Sequence, residues 1–262
     1  MSSAEATRLS ETHDYTCDHQ AHFQMPAYRR SAAGRQHLQT VRSPSELQSA
    51  VLHLIECVLR LSSLSLRYRY DYITDRLRQI RQEMTIQNLN DFALIEPQIR
   101  FHAIARDLLA SDDKFDIVLN DEMLADCVSR DSNSEYEYLW RISQGELIVR
   151  KQYASLISAI VDCNFIQIFN FVSKLPYVQA CLMLPLINRC RRQYLERIKR
   201  AYRKPSHDLF CKLLRCRQEQ IDDDLVRIWD CSRDPIAKCE FDSDDGVSLS
   251  NFILPTVKNN DH

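Results

Sequence analysis

Asp71 and Asp75 stand four residues apart in the stretch RYDYITDRLRQIRQEMTIQ, residues 69–87. On a helix that spacing puts two carboxylates on one face, an arrangement that general acid–base chemistry could use. Arg76 and Arg78 lie beside them. Nearby cations favour the ionised form of both acids, which suits ion pairing better than proton transfer. His102, in RFHAIA, sits in an apolar helical pattern and reads as a packing histidine rather than a base. The run HDYTCDHQAH offers His13, Cys17, His19 and His22 to a metal. Their spacing matches no common zinc pattern and no apolar flank would fix them, so neither metal nor cofactor is expected. Gly-x-Ser-x-Gly, His-Glu-x-x-His and nucleophilic-cysteine signatures are absent, and an enzyme is not the expectation.

The second chemical feature is NRCRRQYLERIKRAYRK, residues 188–204. Arg189, Arg191, Arg192, Arg197, Lys199, Arg200, Arg203 and Lys204 face the single acid Glu196. Ile187, Cys190, Tyr194, Ile198 and Ala201 form one apolar stripe, so the helix should dock by that stripe and turn a basic surface outward. Such a surface attracts phosphate whatever the sequence. It would equally meet an acidic protein, or stay solvated, or be neutralised by the acidic run EQIDDD at 219–224.

The elements that must position these residues are helical. Gly34, Gly145 and Gly246 are the only glycines in 262 residues, where average usage would give roughly 18. Phosphate loops and doubly wound sheets need more glycine than that. Ser43 or Ser45 caps a helix with Pro44 in its first turn and Leu47, Val51, Leu54, Ile55, Val58 and Leu61 on one face. In the next helix, Ile73, Leu77, Ile80 and Met84 form one stripe. Asp71, Asp75, Arg78 and Gln82 form a second stripe two residues earlier, about 200° away. A helix with neighbours on both sides would use both stripes. The polar one is expected to bond neighbouring helices through Arg100 and His102. A third helix is expected over 94–110 with Pro97 in its first turn. Others are expected near 115–130, 134–143, 146–161, 163–174, 177–184 and 186–203.

Short links between amphipathic helices indicate stacked helical hairpins. The expected fold is therefore all-α: a degenerate tetratricopeptide-like superhelix ending in a small winged-helix subdomain with a β-hairpin. Residues 1–43 read as a flexible polar arm, 44–204 as the helical-repeat scaffold, 205–256 as the winged helix and 257–262 as a tail. In 205–256, two short helices precede IAKCEFD and VSLSNFIL, strand-like runs joined by SDDG. The N-terminus carries no apolar signal region, and the ten cysteines include no Cys-x-x-Cys. Buried, reduced thiols in a nuclear or cytoplasmic protein are expected. The most apolar window, 153–187, is interrupted by polar residues, and no membrane insertion is expected.

The stretch at 70–87, with LIEPQIRFHAIARDLL after it, resembles the hallmark of the suppressor-of-actin-three/GANP domain family. The matching residues are Tyr70, Asp71, Asp75, Arg76, Arg78, Arg81, Gln82, Thr85, Gln87, Glu96, Arg100, Phe101 and His102, with Glu83 where the family commonly has Asp. CNFIQIFNF and LPYVQACLM also fit, and the resemblance covers about residues 25–255. It implies helical hairpins capped by a winged helix, and a scaffold role for the motif residues. In long members, the domain pairs with a like-built helical-repeat/winged-helix protein and a small acidic disordered protein in an mRNA-export complex at the nuclear pore. There RNA or DNA is thought to meet a basic surface. Short members are linked to the centrosome and spindle in mitosis. This chain ends soon after the expected winged helix, so the pore-anchoring and centrin-binding extensions of the long members are not expected. Cys17 is followed by Asp18 rather than the family's proline.

Overall fold

The computed structural model describes residues 27–28, 41–130, 134–148 and 150–201, with the side chains of Leu195 and Lys199 left aside. The expected winged helix, the tail and most of the polar arm lie outside these residues. Among the described residues every regular element is helical. The chain divides into two compact units, the first through Phe101 and the second from His102.

In the first unit, α1 spans Pro44–His53. Ser43 is its N-cap. The Ser43 side chain accepts from the Glu46 amide, and the Glu46 carboxylate accepts from the Ser43 amide at 2.6 Å, a reciprocal capping box. The helix continues as one π-helical turn, Leu54–Val58. The expected apolar face is the buried one: Leu47, Val51, Leu54, Ile55 and Val58 are buried, while Leu61 at its edge is half-buried.

Helix α2 spans Leu66–Ile86 and is capped by Ser65. Ile73, Leu77, Ile80 and Met84 are each 0% exposed. Fully burying a side chain of this size stabilises by about 1.5–3 kcal/mol, so this stripe anchors the helix. Helix α3, Phe92–Leu108, begins two residues earlier than the sequence suggests. Asp91 starts it by accepting the Ala93 amide at 2.9 Å. Pro97 consequently lies in the second turn, inside the helix.

The second unit takes the end of α3 and then α4, Ile117–Arg130, and α5, Glu135–Gln144. Gly145 ends α5 at φ +105°, a left-handed cap that suits glycine. Residues expected to be helical from 146 are not. Residues 146–148 and 150 lie outside any regular element, Lys151–Tyr153 form a 3₁₀ turn, and α6 begins only at Ala154, ending at Val161. Helices α7 (Phe165–Val172), α8 (Tyr177–Leu182) and α9 (Leu184–Ala201) follow. Helix α9 packs against α5, α7 and α8.

Candidate functional site

The family-motif residues of the first unit form a polar framework on α2. Asp75 and Arg78 were expected to reach neighbouring helices. They meet the N-terminal segment instead: the Tyr28 amide donates to Asp75 Oδ2 at 3.1 Å, and the Arg78 guanidinium lies 4.1 Å from the Tyr28 ring centroid. Arg76 is buried, bonds Asp75 at 2.9 Å and covers the Tyr72 ring at 3.8 Å. Asp71 is exposed and pairs with Arg67 one turn away at 2.9 Å. Gln82 is half-buried.

Glu83 supplies the contact that motif reading undervalued. It is 4% exposed. Its carboxylate accepts the Arg42 main-chain amide at 3.1 Å and both Nε and Nη2 of that arginine at 3.0 and 2.8 Å. Gln79 donates to the same carboxylate at 3.1 Å, and Gln87 donates to the Arg42 carbonyl at 2.9 Å. The entry to α1 is thus held to the far end of α2. Arg81 is buried and donates to Gln98 at 2.9 Å; Gln98 in turn donates to the Leu94 carbonyl at 2.8 Å. Thr85 is exposed and bonds the Arg81 carbonyl. Tyr70 and Phe101 stack with centroids 5.7 Å apart. Arg100 pairs with Glu96 on its own helix at 2.7 Å.

His102 belongs to the second unit and is 0% exposed, as is Asn120. The two are 3.0 Å apart through His102 Nδ1 and Asn120 Oδ1, and the Asn120 amide donates back to the His102 carbonyl at 3.1 Å. An amide oxygen only accepts, so Nδ1 carries the proton and ties α3 to α4. Arg106 pairs with Asp121 at 2.9 Å. Burial lowers the Arg106 pKa and raises that of Asp121 against their mutual attraction. Asp107 accepts the Tyr177 hydroxyl at 2.7 Å. In each pair the carboxylate or imidazole holds helices together. Among the described residues, no group of three or more His, Cys, Asp or Glu could hold a metal ion. No described helix is long and apolar enough to cross a membrane.

The basic helix α9 docks as expected by Ile187, Cys190 and Ile198, which are buried, with Tyr194 half-buried 5.0 Å from the Phe165 ring. Ala201 is exposed. One predicted surface residue is misplaced. Arg191 is 1% exposed, so it belongs to the docking side and not to the outer surface. The reason is periodicity: 187, 191, 194 and 198 lie at i, i+4, i+7 and i+11. At 100° per residue, Arg189, Arg192, Glu196, Arg197 and Arg200 share a sector of about 140° on the opposite side. Arg192, Arg197 and Arg200 are exposed; Arg189 is half-buried, its guanidinium packed beside Gly145. Arg197 also leans over the Phe165 ring at 5.1 Å. Burial pushes the Cys190 thiol up to about 11 on the docked side. The Lys199 side chain, Arg203 and Lys204 lie outside the described residues.

Comparison with known proteins identifies one family. The model of the SAC3/GANP family matches residues 3–131 and 148–223. Among curated proteins, Protein xmas of Drosophila melanogaster is 26% identical over 231 residues, covering 69% of this chain and 11% of the fly protein. The chain therefore spans about a tenth of that relative's length. No solved structure matches.

Proposed function

This chain belongs to the SAC3/GANP family, and on that premise we propose that it is a non-enzymatic scaffold of the mRNA-export kind. It would join a like-built helical-repeat/winged-helix protein and a small acidic disordered protein, in the nucleus and at the nuclear pore, and contact RNA or DNA. The family match over 3–131 and 148–223 carries this reading. The geometry supports it. Glu83 and Asp75 bind Arg42 and the Tyr28 amide and so tie segments together, while Asp71 and Asp75 also pair with Arg67 and Arg76 on their own helix; this is framework work rather than turnover.

The nucleic-acid contact is assigned to the outward side of α9, with Arg192, Arg197 and Arg200 as its exposed cations and Arg189 at its edge. Lys199, Arg203 and Lys204 extend the same basic run. Arg191 is excluded by its burial. The test is binding of a labelled single-stranded RNA across a salt series. Single-strand binding weakens with a log–log slope of about −0.7 per phosphate neutralised, so three contacts contribute about −2. Reversing Arg192, Arg197 and Arg200 to Glu should remove that part of the slope and leave thermal unfolding in place. An unchanged slope, or no RNA binding by the unaltered chain, would remove nucleic acid from this face.

A further inference from the structure

The first turn of α4 carries a second surface of opposite character. Ile117, Val118 and Leu119 are 38%, 64% and 37% exposed. The helix is held from its other side, where Asn120, Leu124, Cys127 and Val128 are buried. Three consecutive aliphatic residues thus reach solvent where polar residues ordinarily stand. Val118 is a poorer helix former than the polar residues that suit an exposed first turn, and at 64% exposed it gains little burial in return.

Acids surround them. Asp113, Asp116 and Glu122 are exposed, Asp112 is half-buried, and Lys114 is the one cation between 112 and 122. Val118 and Glu122 are four apart and share the outermost line of the helix. The turn is not an empty anion site, because Asp116 Oδ1 already accepts the Leu119 amide at 2.9 Å.

We propose that this face, Ile117, Val118 and Leu119 rimmed by Asp113, Asp116 and Glu122, docks a basic amphipathic helical segment of a partner protein. The apolar centre calls for aliphatic side chains and the rim for cations, the usual anatomy of a helix-binding surface. The same rim repels RNA, DNA and anionic lipid, so the site is independent of the polyanion face on α9. A second copy of this chain does not offer the required segment from α9. That helix is basic, but its apolar side is already packed beneath Phe165 and its neighbours.

The test uses the full chain and a fluorescent Leu/Lys amphipathic helical peptide, read by anisotropy, beside a Leu/Glu peptide of the same pattern. The Leu/Lys peptide should bind and the Leu/Glu peptide should not. Val118→Asn with Leu119→Asn should weaken binding by about ten-fold, an effect of about 1.4 kcal/mol. Asp113→Asn with Glu122→Gln alters no apolar contact, so it stays informative if the first pair disturbs folding. It should weaken binding several-fold and flatten the salt dependence. Val161→Asn with Ile166→Asn, at aliphatics 61% and 53% exposed elsewhere in the unit, should change nothing. The proposal is overturned by binding that both α4 variants leave intact, or by equal affinity for the Leu/Glu peptide. Sedimentation showing that the chain pairs with itself through Val118 and Leu119 would likewise overturn it.

Discussion

Glu83 takes up the Arg42 guanidinium and main-chain amide while itself only 4% exposed, so its charge is matched at close range by a cation that is also largely enclosed. Removing one partner of such a pair leaves the other uncompensated, at a cost of about 3 kcal/mol for the less enclosed cases. Glu83→Gln should lose about that much stability in urea unfolding; a loss within error would mean that Arg42 finds water instead. Arg78 is a different case. It is half-buried over an aromatic ring, a contact of about 1 kcal/mol. Arg78→Ala should therefore cost about 1 kcal/mol by the same measurement and leave Tyr28 more exposed to iodination. A cost as large as that of Glu83→Gln would contradict this account. Ion pairing of Asp71 and Asp75 was legible, because Arg76 and Arg78 beside them already argued for it. The partners were not. Tyr28 and Arg42 are distant in sequence and sit in a polar segment without periodicity. Arg191 could have been read correctly: it shares the i, i+4, i+7 line with Ile187 and Tyr194, but a search for charge groups it with the other arginines.

Helix α1 shows what a terminus adds. Hydrogen bonds from the Ser43 side chain and amide hold the Glu46 pKa below its ordinary 4.5. A folded-state value below the unfolded one means the cap stabilises α1 above pH 4.5 and is lost as pH falls through the lowered value. The Ser43 amide resonance should titrate with a midpoint below 4.5; a midpoint at or above it would contradict the capping box. At this scale the sequence was most readable. The apolar stripes of α1, α2 and α9 are buried over most of their length, because period 3.6 and burial report the same physics; Leu61 is half-buried, Ala201 is exposed and Arg191 joins the docked side of α9. The failures have local causes. Gly145 in a left-handed cap ends α5 and leaves 146–148 outside any helix, where a helix was expected from 146. Asp91 starts α3 early and so moves Pro97 inward. The π turn after His53 has no mark in composition or spacing.

Over the whole molecule, net charge of −2 conceals local asymmetry. Helix α9 turns arginines outward while the first turn of α4 is acidic and aliphatic. Global charge excludes little; the partners proposed for α9 and α4 are argued from the placement of charge on separate helices. The glycine count told helical architecture from doubly wound α/β at once, since too few positions could take a positive φ. The division into two units at Phe101 and His102 left no such trace, because it falls inside a continuous helix. The role proposed for this member of the SAC3/GANP family is that of an export-type scaffold. Mass spectrometry of proteins that copurify with the tagged chain, from interphase and mitotic cells in parallel, tests it most directly. The account predicts stoichiometric recovery of a like-built helical/winged-helix protein together with a small acidic one in interphase. Recovery of centrosomal and tubulin-associated proteins alone would contradict it, and would mean that the fold serves cell division instead.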